Sequence, residues 1–239
     1  MIPALIVSAS LFFAQAPMPE ASTLVREIEA HQRRMDELRE DYTFREVVLT
    51  DELNPNGSVR QTESEERDIF FVNGYRVGRL VKKNGKELGG GEAKAEQDRI
   101  RKVIEKDLKE PPGHSWNRRG ENAGVSDILP IMKISNPRRV MLYGRSTLAY
   151  DFIGNPHAKA HGIAENAARK ITGTVWIDEA DHEVTRLDAR FDDNFRIGGG
   201  ILASIQKGTS LLFEQSRIGQ ELWMPSVSEI HLAARDADA

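Results

Sequence analysis

The sequence predicts an α+β fold in which a large curved antiparallel β-sheet carries helices on its concave face. Three observations predict it. Apolar and polar residues alternate in one run after another, the period of half-buried strands. Short turns such as Asn73-Gly74 and Gly219-Gln220 join the runs, so strands adjacent in sequence should pair antiparallel. Two segments in the first half of the chain instead repeat apolar residues every three or four positions, as helices do. Roughly nine or ten strands result, and one sheet with helices packed on it is the simplest way to bury them.

Residues 173–191, GTVWIDEADHEVTRLDARF, carry the clearest β pattern. Val175, Trp176 and Ile177 are β-branched or aromatic. After a polar turn at 179–183, Leu187, Ala189 and Phe191 alternate with Arg186, Asp188 and Arg190. A loop at 180–182 pairs Val175 with Leu187 and Trp176 with Arg186. That register keeps apolar residues on one face and sets a guanidinium against the indole on the other. A slip of one residue mixes the faces.

The remaining elements follow in order. Residues 22–40 form an amphipathic helix with Leu24, Ile28, His31, Met35 and Leu38 on its stripe and Ser22 or Thr23 as cap. Residues 42–53 are a strand with Tyr42, Phe44 and Val48 on one side, and Asn54-Pro55-Asn56-Gly57 turns it. The strand over 59–72 is polar on both faces at first and apolar at its end, so its hairpin tip projects into solvent. Asn73-Gly74 leads into a strand over 75–83. Gly89-Gly90-Gly91 lacks the spacing of a phosphate loop and reads as a flexible joint. Residues 92–109 are a charged helix with a narrow stripe at Ile100, Val103, Ile104 and Leu108, stopped by Pro111-Pro112-Gly113. A loop over 110–124 and a short helix over 125–132 precede strands at 139–143 and 147–153, joined at Gly144-Arg145. After a basic connection at 154–170 and the hairpin above, 192–200 is a loop and 201–205 a strand or a turn of helix. Strands over 208–217 and 222–234 close the chain, with Pro225 marking an edge position or a bulge, and the tail 235–239 reads as disordered.

Composition narrows the function. The 239 residues are 39% hydrophobic and 29% charged, enough for one large core. Lys and Arg number 33 against 37 Asp and Glu, interspersed and without a basic stripe, which disfavours a nucleic-acid partner. With no cysteine, disulfides, thiol catalysis, thiolate-bound zinc and a lipid-modified N-terminal Cys are excluded. The apolar run 4–13 followed by Ala14-Gln15-Ala16 resembles a signal peptide over 1–16, with 17–239 as a single domain. It departs from that pattern in lacking Lys or Arg before the run and in having Pro17 after the cut. The run is too short for a membrane span.

No catalytic constellation emerges. His157 and His161 are four apart, but no HExxH follows, and Pro156 and Gly162 interrupt the segment, so no metal site is expected. Asp178, Glu179, Asp181 and Glu183 lack the order of a calcium loop and read as an exposed acidic turn. The serines show no nucleophile elbow, and Lys207-Gly208-Thr209 reverses the order of a nucleotide loop. Trp116 reads as a loop anchor, Trp176 and Trp223 as packing residues.

The signal-like start, the first helix running into long strands, the WID and V-x-RLD pattern at Trp176–Asp188, and Gly219 with Trp223-Met224-Pro225 resemble the outer-membrane lipoprotein-sorting (LolA/LolB-like) superfamily. The matching motifs cover about a quarter of the chain. The resemblance implies an incomplete β-barrel whose concave face, covered by helices, holds acyl chains. It implies a periplasmic, non-enzymatic carrier without cofactor or metal, whose ligand is a lipid or lipidated protein. Candidate lining residues are Phe44, Phe70, Val77, Leu148, Tyr150, Phe152, Val175, Leu187, Phe213 and Trp223. The alternative is an envelope protein–protein interaction or sensor module that uses the same sheet without lipid.

Overall fold

The computed structural model describes residues 17–54, 56, 58–112, 128–197, 203–220 and 222–233. The expectations for the signal segment, Trp116, the glycines at 198–200 and the tail fall outside these residues.

The strands are antiparallel as expected, but they do not form one continuous sheet. Helix α1 (Ala21–Arg39) leads into β1 (Phe44–Leu53), β2 (Val59–Val72), β3 (Tyr75–Lys83) and the short β4 (Lys86–Glu87), a four-stranded meander. Helix α2 (Gly90–Asp107) follows. Then β5 (Met132–Leu142), β6 (Arg145–Gly154), helix α3 (Gly162–Ala168), β7 (Ile171–Asp178) and β8 (Val184–Phe191) run on to β9 (Phe195–Ile197) and β10 (Ala203–Ile205). The chain closes with β11 (Ser210–Ile218) and β12 (Leu222–His231). A six-stranded sheet has the order β12-β11-β8-β7-β6-β5, and β9 with β10 forms a separate ribbon.

Turn chemistry explains the meanders. Asn73-Gly74, Asn84-Gly85 and Tyr143-Gly144 each place two successive residues at positive φ, the type I′ geometry whose twist matches a two-residue hairpin. Tyr143 at φ 49° is the unexpected member, because no Asn or Asp announces this turn. It lies one residue before the junction read from the sequence.

The central hairpin takes the expected register. Val175 lies opposite Leu187 and Trp176 opposite Arg186, whose guanidinium is 5.4 Å from the indole centroid. A bulge between Trp176 and Ile177 pairs Ile177 with Val184, so the loop spans 179–183 rather than three residues. Gly173 is required here. A Cβ on it would come within 2.0 Å of the Asp188 carbonyl oxygen.

Helix α1 starts with Glu20 at its N-cap and no side-chain cap, in place of the Ser or Thr cap expected. Its Leu24 and Ile28 join one apolar cluster with Leu148, Tyr150, Phe152, Val175, Ile177, Val184 and Phe191 of the six-stranded sheet. The glycine run begins α2 instead of forming a joint: Gly89 is the N-cap, and its N–H donates to the Glu92 carboxylate at 3.4 Å. On the expected stripe of α2 only Ile100 is buried, and Leu108 is 64% exposed.

Helix α2 lies along the free edge of β3. The Leu80 N–H donates to Glu96 at 2.8 Å, and Arg99 donates to the Gly78 carbonyl at 2.6 Å. Asn73 Nδ2 donates to the carbonyls of Asp107 and Glu110, tying the far end of α2 to the β2–β3 turn. Two side chains thereby satisfy backbone groups that a further strand would have paired.

Candidate functional site

Residues directly opposite on paired strands share a face. Leu148 faces Ile177, Tyr150 faces Val175, Val175 faces Leu187, and Leu187 faces Phe213. These residues and Phe152 form the apolar side of the six-stranded sheet, and Leu24 and Ile28 of α1 pack into the same cluster. Five of the ten candidate lining residues therefore come together, Leu148, Tyr150, Phe152, Val175 and Leu187, and Phe213 shares their face by its register opposite Leu187.

The other four do not join them. Phe44, Phe70 and Val77 belong to the four-stranded sheet, to which no strand pairing connects the six-stranded one. Even there they divide, because Phe44 lies opposite Ile69 while Phe70 lies opposite Val77, putting Phe44 and Phe70 on opposite faces. Trp223 is buried but belongs to a polar network: its indole N–H donates to Asp181 at 3.0 Å and its carbonyl accepts from Arg39.

That network surrounds the 179–183 turn, whose exposed reading is corrected for the two acids at its ends while Ala180 at its tip stays exposed. Asp178 is 1% exposed and Glu183 0%. Burial at this depth is tolerated because each acid meets an arginine from another element. Arg145 holds Asp178, at 2.8 Å through Nη2, and also Asp181. Arg217 contacts Asp181 at 3.0 Å, and Arg139 takes Glu179 at 2.6 Å. Arg39, on the last turn of α1, reaches Glu183 at 3.2 Å, Gln215 at 2.6 Å, Asp36 at 2.7 Å and the Trp223 carbonyl at 2.8 Å. Gln215 in turn donates to Glu183 at 2.6 Å. His31 Nε2 lies 3.0 Å from the second Glu183 oxygen without the alignment of a hydrogen bond.

The turn is held from within as well. Asp178 Oδ1 accepts from the backbone N–H groups of Ala180 and Asp181. Burial acts to raise the Asp178 pKa, but Arg145 and these two amides outweigh it and hold the carboxyl below the ordinary carboxylate range. Glu179 is lowered by its bonds from Arg139 and Ser146. Held below the ordinary carboxylate range by guanidinium and hydrogen-bond donors, Asp178 and Glu179 are poorly placed to carry protons.

A shallow open depression of about 370 Å³ lies beside this turn, lined by Gly144, Arg145, Ser146, Asp178, Glu179 and Ala180. The charged groups in its wall already have partners within the protein. No group of three or more possible metal ligands occurs among the described residues. His157 and His161 do not share a helix face, since His161 is the N-cap of α3 and His157 precedes it in a turn.

One feature of the apolar cluster is not explained by packing. The Tyr150 hydroxyl has no hydrogen-bond partner, although the side chain is only 2% exposed within the apolar cluster. Burial raises its pKa, with smaller effects from nearby Arg139 and Glu179. Gln32 Nε2, on the buried side of α1, likewise lacks a partner.

The architecture defines an α+β protein of antiparallel meanders, and among the described residues no helix is long and apolar enough to cross a membrane. No protein-family model, no curated protein and no solved structure matches the chain.

Proposed function

We propose that the protein is an exported, non-enzymatic binding protein that takes up an amphiphilic ligand, a lipid or acyl chain, between α1 and the six-stranded sheet. The observation that carries this reading is the buried, unpartnered hydroxyl of Tyr150. Leaving such a group unsatisfied costs about 1–3 kcal/mol, and phenylalanine would fill the same space without that penalty. A polar headgroup near Tyr150 would satisfy the hydroxyl, with the tail against Leu148, Phe152 and Val175. A tail of about ten methylenes would gain roughly 8 kcal/mol on burial. The lipoprotein-sorting resemblance and the signal-like start support the same reading.

Native mass spectrometry of protein purified without detergent tests it, together with thermal shift against fatty acid and phospholipid. Bound lipid and a lipid-dependent shift are expected. Tyr150→Phe should stabilise the free protein while weakening binding. A clean apo mass with no lipid-dependent shift overturns the proposal.

A second reading, an envelope protein-interaction or sensor module without lipid, is favoured by a specific observation. Leu148, Tyr150, Phe152 and Val175 are each at most 2% exposed, so the core is filled with α1 in place. Crosslinking in the periplasm that recovers one defined envelope protein, from a preparation free of lipid, would select it.

A further inference from the structure

Among the described strands, every long sheet edge but one is broken within its length by proline or a bulge, or is covered by a helix. The outer strand β12 holds Pro225 beside a bulge at Ser226, where its register shifts against Glu214 and Gln215 of β11. The opposite outer strand β5 is broken by Asn136-Pro137, with Asn136 at positive φ and a register shift between Ser135 and Arg138. The open side of β3 is bonded by Glu96 and Arg99 of α2. Proline, bulges and covering elements are the means by which folded chains blunt their edges. Among the described residues strand β1 carries neither a proline nor a covering element, and its one irregularity lies at its far end. It runs ten residues, pairs only with β2 among the described strands, contains no proline, and shifts register only at Glu52/Leu53. It also exposes aliphatic side chains: Val47 is 57% exposed and Leu49 66%.

We propose that β1 is the interface of a two-fold dimer, in which the β1 strands of two copies pair antiparallel about Val48. The sequence of β1, FREVVLTDEL, selects both partner and register. Centred on Val48, the pairing sets Arg45 opposite Asp51, Val47 opposite Leu49 and Val48 opposite itself. One face then has two aliphatic pairs flanked by two opposite-charge pairs, each a favourable cross-strand combination. Centring on Leu49 sets Glu46 against Glu52, which is repulsive. Centring on Val47 leaves Arg45 against Leu49. Arg45 is half exposed while bonded to Asp68, and Asp51 uses one oxygen for Thr62, so both remain available to the second copy. The interface is isologous and closes, uniting the two four-stranded sheets into one eight-stranded sheet without leaving a new open β1 edge.

The absence of cysteine makes a direct test simple. In this register the two Val48 Cα atoms lie roughly 4.5–5.5 Å apart, inside the range a disulfide spans. The two Asp51 positions are offset by six residues, about 20 Å. Under mild oxidation Val48→Cys should form an intermolecular disulfide in high yield, and Asp51→Cys should not. Light scattering on a sizing column should report a dimer for the unmodified chain. Val47→Lys with Leu49→Lys, two exposed positions, should raise the dimer dissociation constant at least about tenfold while leaving the circular dichroism spectrum unchanged. A monomer whose two cysteine variants crosslink equally slowly overturns the proposal. So does an oligomer indifferent to the double lysine variant.

Discussion

Arg39→Met tests how α1 is held to the sheet. Methionine keeps much of the apolar stem while removing the hydrogen bonds to Glu183, Gln215, Asp36 and the Trp223 carbonyl. Arg39 is 3% exposed and Glu183 0%, so solvent cannot replace the lost partner. Breaking a buried pair by removing one member costs about 3–5 kcal/mol. Glu183 keeps its bond from Gln215, which puts the expected loss near the lower end, about 3 kcal/mol. For a chain of this size that lowers Tm by roughly 6–12 °C. Urea unfolding followed by circular dichroism measures it, and a double-mutant cycle with Glu183→Gln should give a coupling of about 1–3 kcal/mol. A loss below about 1 kcal/mol, with coupling indistinguishable from zero, refutes the view that this network docks α1.

Two further outcomes follow from glycine geometry and from charge. Gly173→Ala should destabilise by about 1–3 kcal/mol or more, because the new Cβ meets the backbone of β8 at Asp188 and Ala189, which cannot rotate away. Gly91→Ala, inside α2 with open space around it, should instead stabilise by roughly 0.5–1 kcal/mol, and thermal denaturation of the pair compares them directly. Because the Asp178 pKa is depressed in the folded state, its contribution is present above the unfolded value of about 3.9 and is lost as pH falls through the lower folded value. Unfolding midpoints measured through that acid range should fall more steeply for the unmodified protein than for Asp178→Asn. Parallel curves would show that the Arg145–Asp178 pair does not set acid stability.

The sequence by itself determined what depends on near neighbours. The strand bounds of β2 and β3 and the register of Val175 with Leu187 follow from alternation and from Asn-Gly turns. The Trp176–Arg186 contact follows from that register. Pro225 marked an edge position or a bulge, and the structure has both. That Leu148, Tyr150 and Phe152 share one face was legible for the same reason, since they alternate along one strand. Tertiary structure alone decided which meanders join. The separation of Phe44, Phe70 and Val77 from the main core is a matter of strand pairing between distant segments, on which local periodicity is silent. It also decided that α2 lies at a strand edge, and that Asp178 and Glu183 at the two ends of the acidic turn are buried. Arg39 and Glu183 are 144 residues apart, and nothing local identifies which arginine meets which acid. Hydrophobic period and turn conformation are short-range properties of the chain, whereas burying a charge beside its partner depends on where the folded backbone brings the two together.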